Sequence, residues 1–142
     1  MSIVVLIAAA CVLLAIAIID AKTRRIPDAL VMALAAIGFA SVWVWPEIGV
    51  ASRALGAVLG GAPFLTVAAI VDGSFGGGDV KLMIAAGVLL GWVNTLAVVV
   101  IALIAGGVYG IVLLALRRRK SQEHFAMGPI LAASISVTML NL

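Results

Sequence analysis

Five long apolar runs separated by short charged segments leave this chain little choice of fold. They cover 2–19, 30–45, 54–71, 80–116 and 125–142. A helix crosses the hydrocarbon core of a bilayer with about 20 apolar residues, and somewhat fewer suffice when its ends reach the interface. The fourth run has 37 residues, which as one straight helix would extend about 55 Å. That is too long for a single crossing, and Gly91-Trp92-Val93-Asn94 is where it can break. The pattern therefore predicts an all-α membrane protein: a compact bundle of about six transmembrane helices forming one integral-membrane domain over 1–142. Five spans, with 80–116 as one tilted helix, is the alternative. Composition agrees, because a chain 65% hydrophobic and 11% charged, with mean hydropathy +1.35, has too few polar residues to cover a water-soluble body.

The charges give the orientation. Segments after the first, third and fifth spans hold Lys22, Arg24, Arg25, Lys81, Arg117, Arg118, Arg119 and Lys120, against Arg53 alone on the other side. Basic residues stay in the cytoplasm, so the odd-numbered helices should end there and both termini should be non-cytoplasmic. Trp43, Trp45 and Trp92 then fall at the outer boundary, as an aromatic belt requires. The net charge of +3 belongs to these segments and signals a lipid bilayer as partner, with no nucleic acid. No basic segment precedes the first apolar run, so it reads as a retained helix and not a cleaved signal. The single cysteine, Cys11, excludes an intramolecular disulfide or a multi-cysteine zinc site and reads as a small packing residue. Gly56/Gly60, Gly87/Gly91 and Gly106/Gly110 each place two small residues on one helix face, where backbones can approach closely.

Two carboxylates stand out against this background. Asp20 ends the first span, and Asp79 opens the fourth behind Gly76-Gly77-Gly78. Charges at such positions are costly and call for a partner or a function. Counting spans puts both on the cytoplasmic face, although they lie 59 residues apart. Carboxylates close enough to share a proton cannot easily both ionise, so their titrations couple. The ionised one can take a proton from water while the protonated one polarises a carbonyl and later protonates a leaving amine. Peptide hydrolysis would then need no metal, cofactor or covalent intermediate. The three glycines permit close approach of backbone and water. A plain helix N-cap is the simpler role for Asp79, and an interfacial charge beside Lys22, Arg24 and Arg25 the simpler role for Asp20.

The segments Asp20-Ala21-Lys22-Thr23-Arg24-Arg25-Ile26-Pro27-Asp28 and Gly76-Gly77-Gly78-Asp79-Val80-Lys81 resemble the two motifs of the type IV prepilin peptidases, intramembrane aspartyl proteases of the Gly-x-Gly-Asp type. Near the C-terminus, Phe125-Ala126-Met127-Gly128-Pro129 keeps only the Gly-Pro end of that family's Pro-Phe-Gly-Pro. The resemblance implies that Asp20 and Asp79 are the catalytic pair. It implies substrates that are prepilin or pseudopilin precursors, cut after a glycine on the cytoplasmic side of the inner membrane to release a basic leader. Longer members resemble a fusion with a cysteine-rich segment and an N-methyltransferase activity. With one cysteine and no large loop, the expectation here is a peptidase without zinc or methylation, similar in size to the short forms of tight-adherence (Flp-type) pili.

Lys81 reads as a supporting residue that stabilises an anion or contacts substrate, or as an interfacial anchor. Asp72 ends the third span on the same face and could attract a basic leader. Pro27 suits a helix start, with Asp28 satisfying free N–H groups of the first turn. Arg117–Lys120 read as an anchor for anionic lipid, His124 as too isolated to hold a metal, and Glu47 and Arg53 as outer-loop charges without chemistry. The competing function is a small proton- or ion-coupled transporter using the same aspartates. A carrier would place them nearer the bilayer midplane.

Overall fold

A computed structural model describes residues 2–70, 76–115 and 127–140 of the chain. Helix α1 spans Ser2–Thr23. Helix α2 spans Asp28–Ala40 and tightens into a 3-10 turn over Ser41–Trp43. Helix α3 spans Val50–Ile70, α4 Gly77–Ala115 and α5 Gly128–Met139. The described residues contain no strand. Three helical stretches, Ile3–Thr23, Val50–Ile70 and Gly77–Tyr109, are long and apolar enough to cross a membrane. They are apolar on every face, as helices with neighbours on one side and lipid on the other should be. Leu13, Ile16, Leu34, Phe64, Met83 and Leu131 fill the core, while Ile7, Leu14, Leu65 and Ile104 face outward.

The described residues form five helices where hydropathy predicts six spans. The fourth run is one element, but Gly91 inside it is non-helical, with φ 73° and ψ 173°. The break thus falls where the sequence predicts it. Among the described residues, the second and fifth runs form shorter helices than expected. At 13 and 12 residues, α2 and α5 are about 20 and 18 Å long, less than the roughly 30 Å hydrocarbon thickness. The second run curls up early because the Ser41 hydroxyl donates to Gly38 O (2.7 Å) and Trp45 N–H donates to Ser41 O (2.8 Å). Trp45 is consequently buried in the core, whereas Trp43 and Trp92 are exposed. Cys11, expected to pack inside, is exposed on α1.

Glycines set the closest packing in the bundle. A Cβ on Gly56 would lie 2.5 Å from Gly87 O, and one on Gly60 would lie 2.5 Å from Met83 O. Two of the three expected glycine pairs therefore join α3 to α4 backbone against backbone. In the third, Gly106 faces the Met127 side chain instead, where an added Cβ would stand 2.6 Å from its Cε.

Arg53 holds the opposite end of the bundle from the aspartates. It lies inside α3, not in a loop, and is only 3% exposed. Its Nε donates to Ile48 O (2.9 Å). Nη1 donates to Gly38 O (3.1 Å), Ser41 Oγ (2.7 Å), Val88 O (2.9 Å) and Leu89 O (3.4 Å). Nη2 donates to Ser41 O (3.2 Å) and Trp45 O (3.1 Å). The helical partners of Val88 and Leu89 would be Trp92 and Val93, just past the Gly91 break. Arg53 meets those carbonyls, and Ser52 Oγ accepts from Trp92 N–H (3.3 Å). The guanidinium also neutralises the partial negative charge where α2 and the 77–90 part of α4 end. An arginine read as an outer-loop charge is thus an internal cap.

Candidate active site

The site begins where α1 stops. Thr23 Oγ1 donates to Ile19 O (2.8 Å), and Arg24 N–H donates to Asp20 O (2.7 Å). Arg24 has φ 53°, the left-handed conformation that closes helices and usually falls to glycine. In a residue with a Cβ it costs about 1–2 kcal/mol, and here it turns the chain sharply back. Ile26 is thereby laid against Gly78, where an added Cβ would stand 2.9 Å from Ile26 Cβ. Pro27 is the N-cap of α2, not its first helical residue (φ −66°, ψ 127°).

Asp20 lies in the last turn of α1 and is 4% exposed. Gly128 N–H donates to its Oδ2 at 2.9 Å. Gly128 opens α5, so this donor belongs to a helix start that has no internal acceptor for it. The approach requires glycine, because a Cβ at 128 would fall 2.6 Å from Asp20 Oδ2 and 2.8 Å from its Cγ.

Asp79 is 6% exposed and is the third residue of α4. It is not the N-cap, a position that Gly76 holds. Gly76 N–H donates to Asp79 Oδ2 (3.0 Å), and Asp79 N–H donates back to Gly76 O (3.0 Å). This is one half of a capping box, in which the third residue reaches back to the cap. The seat of Ile26 on Gly78 brings the turn after Asp20 against the residue before Asp79, so the two buried carboxylates lie at the same end of the bundle.

The supporting residues divide. A Cβ on Gly76 would rest 3.7 Å from Asp79 Oδ2, and one on Gly77 would meet nothing within 4 Å. Only Gly78 is crowded. Lys81 Nζ forms an ion pair with Asp28, 2.9 Å from both carboxylate oxygens. Asp28 therefore serves α4 instead of capping α2, which has no side-chain cap. Asp72, His124, Arg117–Lys120 and Phe125 lie outside the described residues. Among the described residues, no three His, Cys, Asp or Glu gather where they could share a metal ion.

Sequence reasoning did not anticipate Gly128 as a neighbour of Asp20, 108 positions away. The surviving Gly-Pro pair was the only signal. The partnership of Asp28 with Lys81, 53 positions apart, left no signal beyond the two motifs themselves.

No solved structure matches the chain. Two curated relatives, each a prepilin leader peptidase/N-methyltransferase of Burkholderia pseudomallei (strains 1026b and K96243), are 33% identical to it over 134 residues. The match takes in 89% of this chain, which spans 43% of the length of those relatives. The family model for type IV leader peptidases matches residues 7–111, a stretch that contains both aspartates and the turn and glycine loop that bring them to one end of the bundle. By that match, which covers well over half of its length, the chain belongs to the type IV leader peptidase family.

Proposed function

We propose that this chain is a multi-pass inner-membrane aspartyl endopeptidase that removes the basic leader from type IV prepilins or pseudopilins, with the Flp type as first candidate. The observation that carries the reading is the pair of buried aspartates. Each has Oδ2 held by a backbone N–H from a different segment, Gly128 for Asp20 and Gly76 for Asp79. Oδ1 of each is then the oxygen offered to water and substrate.

In this reading one carboxylate is ionised and the other protonated. The ionised one takes a proton from water as the water oxygen attacks the scissile carbonyl carbon, and the protonated one hydrogen-bonds the carbonyl oxygen. As the C–N bond breaks, a proton passes to the departing nitrogen. The leader leaves with a glycine carboxylate and the mature protein with a free amine. The pair finishes with one proton between its members, as it began. Both aspartates sit at helix ends, which suits hydrolysis at the membrane surface better than ion transport through the midplane. Six crossings with the site facing the cytoplasm remain the topology that the basic residues favour.

Co-expression with pilin precursors from the same organism tests the reading. Mass spectrometry should find a mature N-terminus directly following a glycine. Precursors left intact by well-expressed protein would rule it out for those substrates.

A further inference from the structure

We propose that Asp28 and Lys81 are positioning residues: a clamp that holds the turn after Asp20 against the first turn of the helix bearing Asp79. The clamp sets how the two carboxylates face each other.

Two contacts join the same two segments. The inner one is apolar, with Ile26 seated on Gly78 so tightly that no Cβ fits between them. The outer one is ionic, with Lys81 Nζ 2.9 Å from both oxygens of Asp28. They bracket the site, since Gly78 immediately precedes Asp79 and Lys81 follows it by two residues, while Ile26 and Asp28 flank Pro27. Pro27 has a fixed φ and Arg24 is already in a left-handed turn, so the segment from Asp20 to Asp28 has few soft torsions. A pull at Asp28 is therefore transmitted toward Asp20. Both partners are more than half exposed (56% and 65%), so the pair adds little to stability. A small displacement of reacting groups, in contrast, is costly to rate. A positioning role thus accounts for an ion pair that stability alone does not require. It also gives Lys81 a partner within the protein in place of substrate.

The rate arm of the test rests on the peptidase reading, and the cross-linking arm does not. In the first, Lys81→Met, Asp28→Asn, the double variant and the exchange Asp28→Lys with Lys81→Asp are assayed on a prepilin peptide. Each single change should lower kcat about three- to fivefold with KM unchanged. The double should be no worse than either single, and the exchange should recover most of the loss. In the second, Ile26→Cys with Gly77→Cys, a position with room for a side chain, is introduced into a Cys11→Ala background, and cross-linking by a short bifunctional thiol reagent in native membranes is timed. It should slow about three- to fivefold when Lys81→Met is added, and recover in the exchange. A rise in KM alone, single effects that multiply, an exchange without recovery, or a cross-linking rate indifferent to the pair each overturns the clamp. If the parent protein cleaves nothing while cross-linking follows the pair, the clamp stands and the peptidase reading falls.

Discussion

Replacing Gly128 with alanine adds one methyl group to the chain and aims it at Asp20. Ordinary contact begins near 3.4 Å, whereas the new Cβ would stand 2.6 Å from Oδ2 and 2.8 Å from Cγ. The shortfall is 3.4 − 2.6 = 0.8 Å at the oxygen and 3.4 − 2.8 = 0.6 Å at the carbon. Neither neighbour is the loose end of a long side chain. Either the carboxylate swings away or the start of α5 retreats, and both movements lengthen the 2.9 Å bond from Gly128 N–H. Overpacking of this kind costs about 1–3 kcal/mol, which a bundle anchored elsewhere by Arg53 and the α3–α4 glycines should survive. Catalysis is less tolerant, because a misplacement near 1 Å costs on the order of 10²-fold in rate. The variant should therefore insert and purify normally yet show kcat/KM for leader removal down about a hundredfold. Activity within twofold of the parent would refute the reasoning, since Asp20 would then not depend on α5 for its position.

Arg53→Met should take a donor from the carbonyls of Gly38, Ser41, Trp45, Ile48, Val88 and Leu89, of which Gly38, Ser41 and Trp45 keep another. A loss of about 3 kcal/mol or more would appear as a marked fall in thermal midpoint in detergent; an unchanged midpoint contradicts the cap. Gly87→Leu should force α3 and α4 apart at Gly56, costing about 1–3 kcal/mol and exposing the pair to limited proteolysis. Resistance equal to the parent argues against the packing. Gly78→Ala should lose more activity than Gly77→Ala in the same cleavage assay, because only position 78 meets Ile26. The reverse order would mean that the loop is not seated as described.

Features that depend on a local run were legible in the sequence. The apolar runs give helices, the excess length of the fourth gives the break at Gly91, and two aspartates at run ends give the candidate pair. Features that depend on who meets whom were not. Hydropathy counts Trp45 as part of a span because it cannot see Ser41 bonding back to Gly38. Arg53 reads as a loop charge because its acceptors come from stretches up to 36 positions away. Gly128 and Asp20 close the site from nearly opposite ends of the chain. Asp28 resembles a helix-capping residue until Lys81 is seen above it. The shortness of α2 and α5 is likewise a tertiary outcome, since neither helix must match the bilayer alone when packed against longer neighbours.

The central claim is that Asp20 and Asp79 act together on a peptide bond. The most direct measurement is kcat/KM of purified parent, Asp20→Asn and Asp79→Asn proteins on one prepilin peptide in lipid vesicles, with equal insertion verified first. Each asparagine keeps the size of the side chain and an oxygen that can accept the backbone N–H, but it can neither take nor give the catalytic proton. Each variant should lose about a thousandfold or more, with the double variant little worse than either single. Substantial cleavage by either single variant would contradict the claim.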